Sequence, residues 1–419
     1  MIKYLKMTTS RAESPGLNSI KGYDSVRNGL MLQIRLIQAD WLSQFGQVIP
    51  GFVLIGKKHH GKHFMVETFL NAIDKRTFTI SRGDSAGTVD DLKSFLRGGT
   101  QAELSIIIMD GADQMKDDQI ELISEVINKA GKPVYILAIA EEENEQVKLC
   151  RICGLIDHTL PVNTPFLTDT KQFLDYLIFE KYGHETFDMN MEDLLSVTYR
   201  LTFAEVDQIL LSGIVPSRNE KANSISEKQI MNAVMRRYYV SDSEALIVTD
   251  KKSLETSIHE AGHAIIAELT QKGSAGFASV WLDGYRSPLG FTSVIREDIG
   301  FKGCKDEILV SLAGIAAEEL CLGRISPGGS EDLQKVITSL ATLVGKEACY
   351  GLEYIDHYII RSAEFQSKYD SMIRNLLLQA YAAVKERLAE YEDCITAIAT
   401  ILTQDGYVLG SVIRSIMDK

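Results

Sequence analysis

Short apolar segments recur at intervals through residues 51–139, and each is bounded by polar residues or glycine. These segments are Gly51–Gly56, Thr77–Ile80, Ser105–Asp110 and Val134–Ile139. Helical patterns separate them, including 24–44, where apolar residues recur near one face, and a stretch at about 62–73. Strands that are apolar through their length are typical of a parallel sheet covered by helices on both faces. Residues 18–165 are therefore predicted to form an α/β domain.

The rest of the chain has mainly helical patterns. Helices alone are predicted over 166–242, with a loop at Gly213–Ile225 around a Pro-Ser-Arg-Asn turn. Beyond 243 the pattern is again helical, apart from one extended stretch near 277–294, and it includes a long amphipathic run at 364–401. The predicted parts are a flexible tail at 1–17, the α/β domain at 18–165, a helical lid subdomain at 166–242 and a mainly α-helical domain at 243–419.

The composition excludes several classes of protein. The 419 residues carry a formal net charge of −13, which argues against nucleic acid as a partner. No run approaches the roughly 18 apolar residues of a membrane-spanning helix, and the N-terminal segment lacks the apolar core of a secretory signal. Six scattered cysteines do not make a disulfide framework. We therefore expect a soluble, cytoplasmic protein that does not bind nucleic acid or insert into a membrane.

Residues 258–264 read Ile-His-Glu-Ala-Gly-His-Ala and contain an HExxH motif inside a helical pattern. His259 and His263 are four residues apart, so both imidazoles project from one face of a helix and can bind the same zinc ion. Glu260 then lies beside the metal and can accept a proton from the attacking water. The motif predicts a catalytic zinc site, since two histidines on an ordinary surface helix are the only competing interpretation.

A catalytic zinc ion needs a third protein ligand and an open position for water. A third histidine soon after His263 is absent, because Ile265–Leu269 contains none. Carboxylates further along the chain are the alternatives, and their chemistry alone does not choose among them. They are Glu318, Glu319, Glu331 and Asp332.

Four short segments follow one another in the C-terminal region: HEAGHA at 259–264, SLAGIAAEEL at 311–320, GGSEDL at 328–333 and Tyr350-Gly351. Together they resemble the peptidase domain of the FtsH family of membrane-associated AAA zinc proteases. The resemblance implies that Asp332 is the third zinc ligand. It also implies that Glu318 or Glu319 orients a ligating histidine, although either can equally be a solvated position on a helix. Ile315 stands where the family has arginine.

The resemblance extends to the binding of substrate. Ala278–Leu282 resembles the family's edge strand beside the zinc, and Gly290-Phe291-Thr292 is similar to its Gly-Tyr-Thr. An extended peptide can pair with an edge strand through backbone hydrogen bonds. The resemblance therefore implies a protein or peptide substrate whose scissile amide is aligned by Ala278–Leu282.

The α/β domain resembles the family's AAA module, but it departs from that module where ATP hydrolysis needs specific residues. Gly56–Lys62 fits the phosphate-binding pattern GxxxxGK[ST], whereas His63 replaces the final Ser/Thr that binds magnesium. Asp110 fits the magnesium-binding aspartate, but Gly111 replaces the hydrolytic glutamate. Lys62 and Asp110 are the residues left to hold a nucleotide.

Three further parts of the ATPase are altered. Glu141 stands at the sensor asparagine, Leu155 replaces the arginine of the GRFD segment, and no aromatic pore loop is found between Ser81 and Phe95. The departures predict that ATP hydrolysis and substrate threading are lost, which leaves zinc as the expected cofactor and makes ATP doubtful.

The sequence thus favours a zinc metalloendopeptidase that hydrolyses peptides or unfolded segments without ATP hydrolysis. The resemblance also implies a homo-oligomer, hexameric as in the family. Two alternatives stay open. One is an assembly or regulatory scaffold with a pseudo-ATPase domain and a structural or highly restricted zinc site. The other is an ATP-dependent protease with unorthodox nucleotide residues.

Overall fold

The structure, a computed structural model, describes residues 16–38, 48–83, 86–98, 103–183, 185–238, 251–282, 288–296, 300–345 and 363–419. The chain divides into two compact units, residues 1–184 with 200–208 and residues 185–199 with 209–419. The four-part division expected from the sequence remains a prediction. Nearly all of its tail at 1–17, the end of its first helix and the motif Tyr350-Gly351 lie outside the described residues.

The N-terminal unit alternates helices and strands. Its elements are α1 (Asp24–Gln38), β1 (Val48–Ile55), α2 (Lys62–Ile73), β2 (Arg76–Ser81), α3 (Ala86–Arg97), β3 (Ser105–Asp110), α4 (Asp117–Lys129), β4 (Val134–Ala140), α5 (Glu145–Ile152), β5 (Ile156–Pro161) and α6 (Leu167–Asp175). The strands form one parallel sheet in the order β2-β3-β4-β1-β5, which confirms the predicted α/β fold. The apolar pattern did not predict β5, because this edge strand is polar and mostly exposed after Ile156.

Both faces of this sheet are covered by apolar residues, as the uninterrupted apolar strands predicted. Ile107 and Met109 of β3 belong to the core on one face, and Ile106 and Ile108 belong to the core on the other. Successive residues of a strand point to opposite faces, so a strand buried on both sides must be apolar throughout. Such a sheet gathers the carboxyl ends of β1, β3 and β4 at one edge.

The elements that follow are mainly helical. They are α7 (Met191–Val197), α8 (Phe203–Asn219), α9 (Glu227–Tyr238), α10 (Lys251–Thr270), β6 (Ala275–Leu282), β7 (Pro288–Val294), α11 (Phe301–Leu322), α12 (Ser330–Gly345), α13 (Ala363–Ala389), α14 (Glu392–Asp405), β8 (Tyr407–Leu409) and α15 (Gly410–Met417). The three strands form a small antiparallel sheet in the order β7-β6-β8. Among the helices that the structure describes, none combines the length and the apolar character needed to cross a bilayer.

Two local predictions were wrong. The loop expected at Gly213–Ile225 begins later, because α8 continues through Pro216 to Asn219; burial of Ile214 and Ser217 favours this helical turn over the turn signal of Pro216. The amphipathic run at 364–401 is two helices, α13 and α14, with a break at residues 390–391. Both helices contribute to the same core, so the apolar spacing continues across the break and hides it.

Candidate metal centre

The HExxH motif lies in α10, where small residues allow α11 to approach closely. A Cβ atom on Gly262 would lie 2.5 Å from the backbone oxygen of Ala313 and 2.6 Å from the Cβ of Ala317. A Cβ on Gly314 would lie 2.4 Å from Nε2 of His259. Glycine at these positions therefore brings the backbone of α11 against the histidine-bearing face of α10.

His259 and His263 of α10 converge with Asp332, which lies in the first turn of α12. The ligand atoms of the three residues all lie within 4.8 Å of one another. Asp332 Oδ2 is 3.1 Å from Nε2 of His259 and 3.3 Å from Nε2 of His263. Of the carboxylates that the sequence left open, Asp332 is the one that joins the histidines, whereas Glu331 is exposed.

The far side of each imidazole is already hydrogen-bonded. Nδ1 of His259 lies 2.7 Å from Oε1 of Glu318, and Nδ1 of His263 lies 2.6 Å from the backbone oxygen of Val310. A carboxylate and a carbonyl oxygen only accept, so each Nδ1 must donate its hydrogen. In the neutral ring this leaves the lone pair of each Nε2 facing Asp332, which is the arrangement that a metal requires. Two imidazoles and one carboxylate match the donor set of catalytic zinc sites.

The electrostatics of the cluster favour positive charge at its centre. Burial would lower the pKa of His259, but hydrogen bonds with Asp332 and Glu318 raise this pKa to about 10. Burial would raise the pKa of Asp332, but the imidazoles of His259 and His263, which donate to it when they are protonated, hold this pKa well below its usual value. Lys335 contacts the other carboxylate oxygen of Asp332 at 3.2 Å. Oδ2 therefore faces the imidazoles while Oδ1 is held at the surface.

The two neighbouring glutamates of α11 have different surroundings. Glu318 is buried, and besides His259 it accepts hydrogen bonds from the backbone N–H of Ser326 at 2.5 Å and from its hydroxyl at 3.0 Å. Glu319 instead accepts from the hydroxyl of Tyr381 at 2.6 Å and pairs with Lys385 at 3.0 Å. Glu318 thus connects the first histidine to the segment that precedes α12, whereas Glu319 joins α11 to α13.

We predict that Glu318→Gln lowers zinc affinity by about 10–100-fold, because the residue that orients a ligating imidazole loses its charge. Glu319→Gln is the matched control and should leave zinc affinity unchanged, since Glu319 contacts α13. Competition with a chromophoric chelator measures both affinities. Equal affinities for the two variants would contradict the role assigned to Glu318.

Ile315, which stands where the family has arginine, packs against the turn that leads into α12. Ile315 is buried, and a Cβ on Gly329 would lie 2.6 Å from its Cγ1. The apolar contact therefore supports the turn that carries Asp332, without a charged residue at this position.

The strand nearest to Glu260 is β7. A Cβ on Gly290 of β7 would lie 2.1 Å from Oε1 of Glu260. Ala278–Leu282, expected to be an edge strand, lies in β6 and pairs with β7 along its length, and its first two residues, Ala278 and Ser279, also pair with β8 on the other side. The sequence missed β8 because it has only three residues. Within the described part of the chain, β7 pairs with β6 alone.

The residues expected to hold a nucleotide lie at the carboxyl edge of the parallel sheet, beside a cleft of about 600 Å³. The buried Lys62 directs its ammonium group at the backbone oxygens of Gly56 and Lys57, the latter at 2.9 Å. Burial lowers the pKa of Lys62, although nearby carboxylates oppose this shift. Nε2 of His63 lies 3.1 Å from Oδ1 of Asp110. The lysine is thus directed into its own loop, and an imidazole meets the carboxylate where magnesium is required. Both residues expected to hold a nucleotide thus contact groups of the chain itself.

The site in the C-terminal unit has the features of a metallopeptidase centre. They are an HExxH helix, a carboxylate from a later helix and hydrogen bonds that fix both imidazoles. Comparison with known proteins agrees: residues 246–416 match the family model described as Peptidase family M41. Residues 246–416 are therefore similar to the peptidase domain of that family, which confirms the predicted resemblance to the FtsH-like zinc metalloproteases.

Several relatives carry the name ATP-dependent zinc metalloprotease FtsH. The protein from Helicobacter felis is 24% identical over 334 residues, which cover 74% of this chain and 52% of that protein. The protein from Thermotoga maritima is 22% identical, with 64% of this chain and 47% of that protein covered. The protein from Thermus thermophilus is 25% identical, with 60% and 42% covered. The chain thus spans about half the length of the curated relatives it matches.

Proposed function

We propose that the protein is a zinc-dependent metalloendopeptidase that hydrolyses peptides or unfolded protein segments without hydrolysing ATP. One observation carries the proposal most directly. His259, His263 and Asp332 present three ligand atoms within 4.8 Å of one another, and Glu260 follows His259 directly in the same helix. The match to Peptidase family M41 supports the same activity.

In this proposal His259, His263 and Asp332 hold zinc, which acidifies water and polarises a carbonyl group when bound. Glu260 accepts the proton of the attacking water and later delivers it to the leaving amine. Glu318 and the backbone oxygen of Val310 keep both imidazoles oriented. Glu318 is buried, so little water competes with His259 for its carboxylate, which suits a residue that orients the imidazole.

The edge of β7 is the proposed place for the substrate. This strand lies against Glu260, and an extended peptide can add to a strand through backbone hydrogen bonds. Backbone pairing depends little on the side chains of the substrate but requires an extended segment. It therefore suits substrates that are already unfolded. The peptide would then run beside the catalytic carboxylate.

We propose that the α/β domain does not hydrolyse ATP. The FtsH relatives differ in this respect, since their names describe them as ATP-dependent. Lys62 and Asp110 form hydrogen bonds with other residues of the chain, and Gly111 has no carboxylate to activate water.

The family resemblance supports a homo-oligomer, proposed here as a hexamer. A cytoplasmic location is supported by free thiols in the described residues. These thiols are Cys150, Cys153, Cys304, Cys321 and Cys394.

The proposal is tested by incubating the purified protein with casein, with and without ATP and with and without a zinc chelator. We expect cleavage without ATP, which the chelator abolishes and added zinc restores. Absence of cleavage under every condition would favour the regulatory scaffold. Cleavage that requires ATP would favour the ATP-dependent protease.

We predict that Lys62→Met and Asp110→Asn leave casein cleavage within about twofold of the wild-type rate, because neither group takes part in hydrolysis when magnesium nucleotide does not bind. Methionine keeps the aliphatic stem of the buried lysine. Initial rates with and without ATP provide the measurement. A fall of tenfold or more in either variant, at unchanged thermal stability, would indicate that the nucleotide residues are in use.

A further inference from the structure

Thr292 of β7 contacts the carboxylate of Glu260. Its Oγ1 lies 2.5 Å from Oε2 of Glu260 and 3.2 Å from the backbone oxygen of the same residue. A hydroxyl group has one hydrogen, and a carboxylate at the shorter distance is the stronger acceptor. Thr292 therefore donates to Oε2, and this bond joins the strand to the side chain proposed as the base.

Gly290, two residues earlier, faces the same carboxylate. Residues two apart in a strand lie on one face, and a side chain at 290 would fill the space of Oε1, since its Cβ would lie 2.1 Å from that oxygen. One face of β7 thus offers a hydroxyl to Oε2 and an empty space to Oε1. The strand is shaped to hold one orientation of the carboxylate of Glu260, which is itself buried.

We propose that Thr292 is a positioning residue for Glu260, an inference that rests on the proposed peptidase function. Glutamate has three rotatable side-chain bonds, and without a partner its carboxylate samples several orientations. The hydroxyl of Thr292 anchors Oε2, which leaves Oε1 in the space beside Gly290 to meet the attacking water. A base held at the correct angle transfers a proton more often than a mobile one.

The test compares Thr292→Val, which removes the hydroxyl at nearly constant volume, with Thr292→Ser, which keeps it. Thr270→Val is the matched control, because Thr270 lies at the far end of α10 and donates to the backbone oxygen of Ala267. We expect Thr292→Val to lower kcat by about 10–100-fold with KM unchanged. Thr292→Ser should restore most of kcat, and Thr270→Val should match the wild type. Bound zinc and melting temperature should stay constant throughout.

A second readout does not depend on turnover. With Co²⁺ in place of zinc, the visible absorption spectrum reports the surroundings of the metal. We expect Thr292→Val to shift this spectrum in the same direction as Glu260→Gln, whereas Thr270→Val leaves it unchanged.

Three results would overturn the inference: an unchanged kcat in Thr292→Val, a loss of bound zinc or stability that accounts for the lost activity, or a Co²⁺ spectrum identical to that of the wild type. If the wild type cleaves nothing, the proposed peptidase function fails. The Co²⁺ spectra then still decide whether Thr292 positions Glu260.

Discussion

Replacing Glu260 with glutamine is expected to lower the rate of casein cleavage by at least about 100-fold, while zinc remains bound at one ion per chain. A positioned acid–base group contributes about 10²–10⁴-fold to a reaction rate, and glutamine keeps the shape of the side chain but cannot accept the proton. The three proposed ligands are untouched, so the metal should stay. Cleavage rate and metal content, measured on the same preparation, separate the two effects.

Glu255→Gln is a suitable control for this experiment. Glu255 lies in the same helix but forms an ion pair with Arg324, so its replacement should change the cleavage rate little. A Glu260→Gln protein that cleaves casein at the wild-type rate would show that another group transfers the proton. The assignment of the HExxH glutamate would then be wrong even if zinc is present.

Gly314→Ala is expected to have the second large effect, which is loss of zinc binding and of the activity that depends on it. The new Cβ would lie 2.4 Å from Nε2 of His259 and 2.5 Å from two other atoms of the same ring. The ring cannot turn away freely, because its Nδ1 is held by Glu318. Alanine adds about 1 kcal/mol of helix propensity, but overpacking a tight site costs about 1–3 kcal/mol, so the clash should prevail.

Gly328→Ala provides the comparison, because its Cβ would come no closer than 3.5 Å to the hydroxyl of Ser326. Zinc stoichiometry and the melting temperature should be close to wild type in Gly328→Ala and reduced in Gly314→Ala. A Gly314→Ala protein with full zinc content would mean that α11 can move away from α10 at little cost. The close approach of these helices would then not be needed for the metal centre.

The sequence predicted the part of the metal centre that depends on local geometry. His259 and His263 are one helical turn apart, so their common face follows from the helix itself. Asp332 lies 73 residues from His259 in the chain, and no local spacing connects them; only the family resemblance singled out this aspartate among four carboxylates. The buried parallel sheet was also predicted from local pattern, since β3 and β4 are each apolar along most of their length.

Features that depend on the packing of distant elements were not predictable in this way. Glu318 and Glu319 are adjacent and chemically identical, so the sequence could not tell them apart. Glu318 faces α10, whereas Glu319 faces α13. The order β7-β6-β8 depends on a three-residue strand near the end of the chain, so the sequence placed the edge on β6. Thr292 was noted only as part of the segment similar to the family's Gly-Tyr-Thr, and its contact with Glu260 was not predictable because Glu260 lies 32 residues away.

The contact between Ile315 and Gly329 bears on any attempt to graft residues from FtsH relatives into this chain. Arginine introduced at 315 alone would meet a turn that has already closed around a smaller side chain, with 2.6 Å between Cγ1 and a Cβ placed on Gly329. The two positions would have to be exchanged as one block. Grafts from FtsH relatives in this region therefore call for exchange of residues 311–333 together.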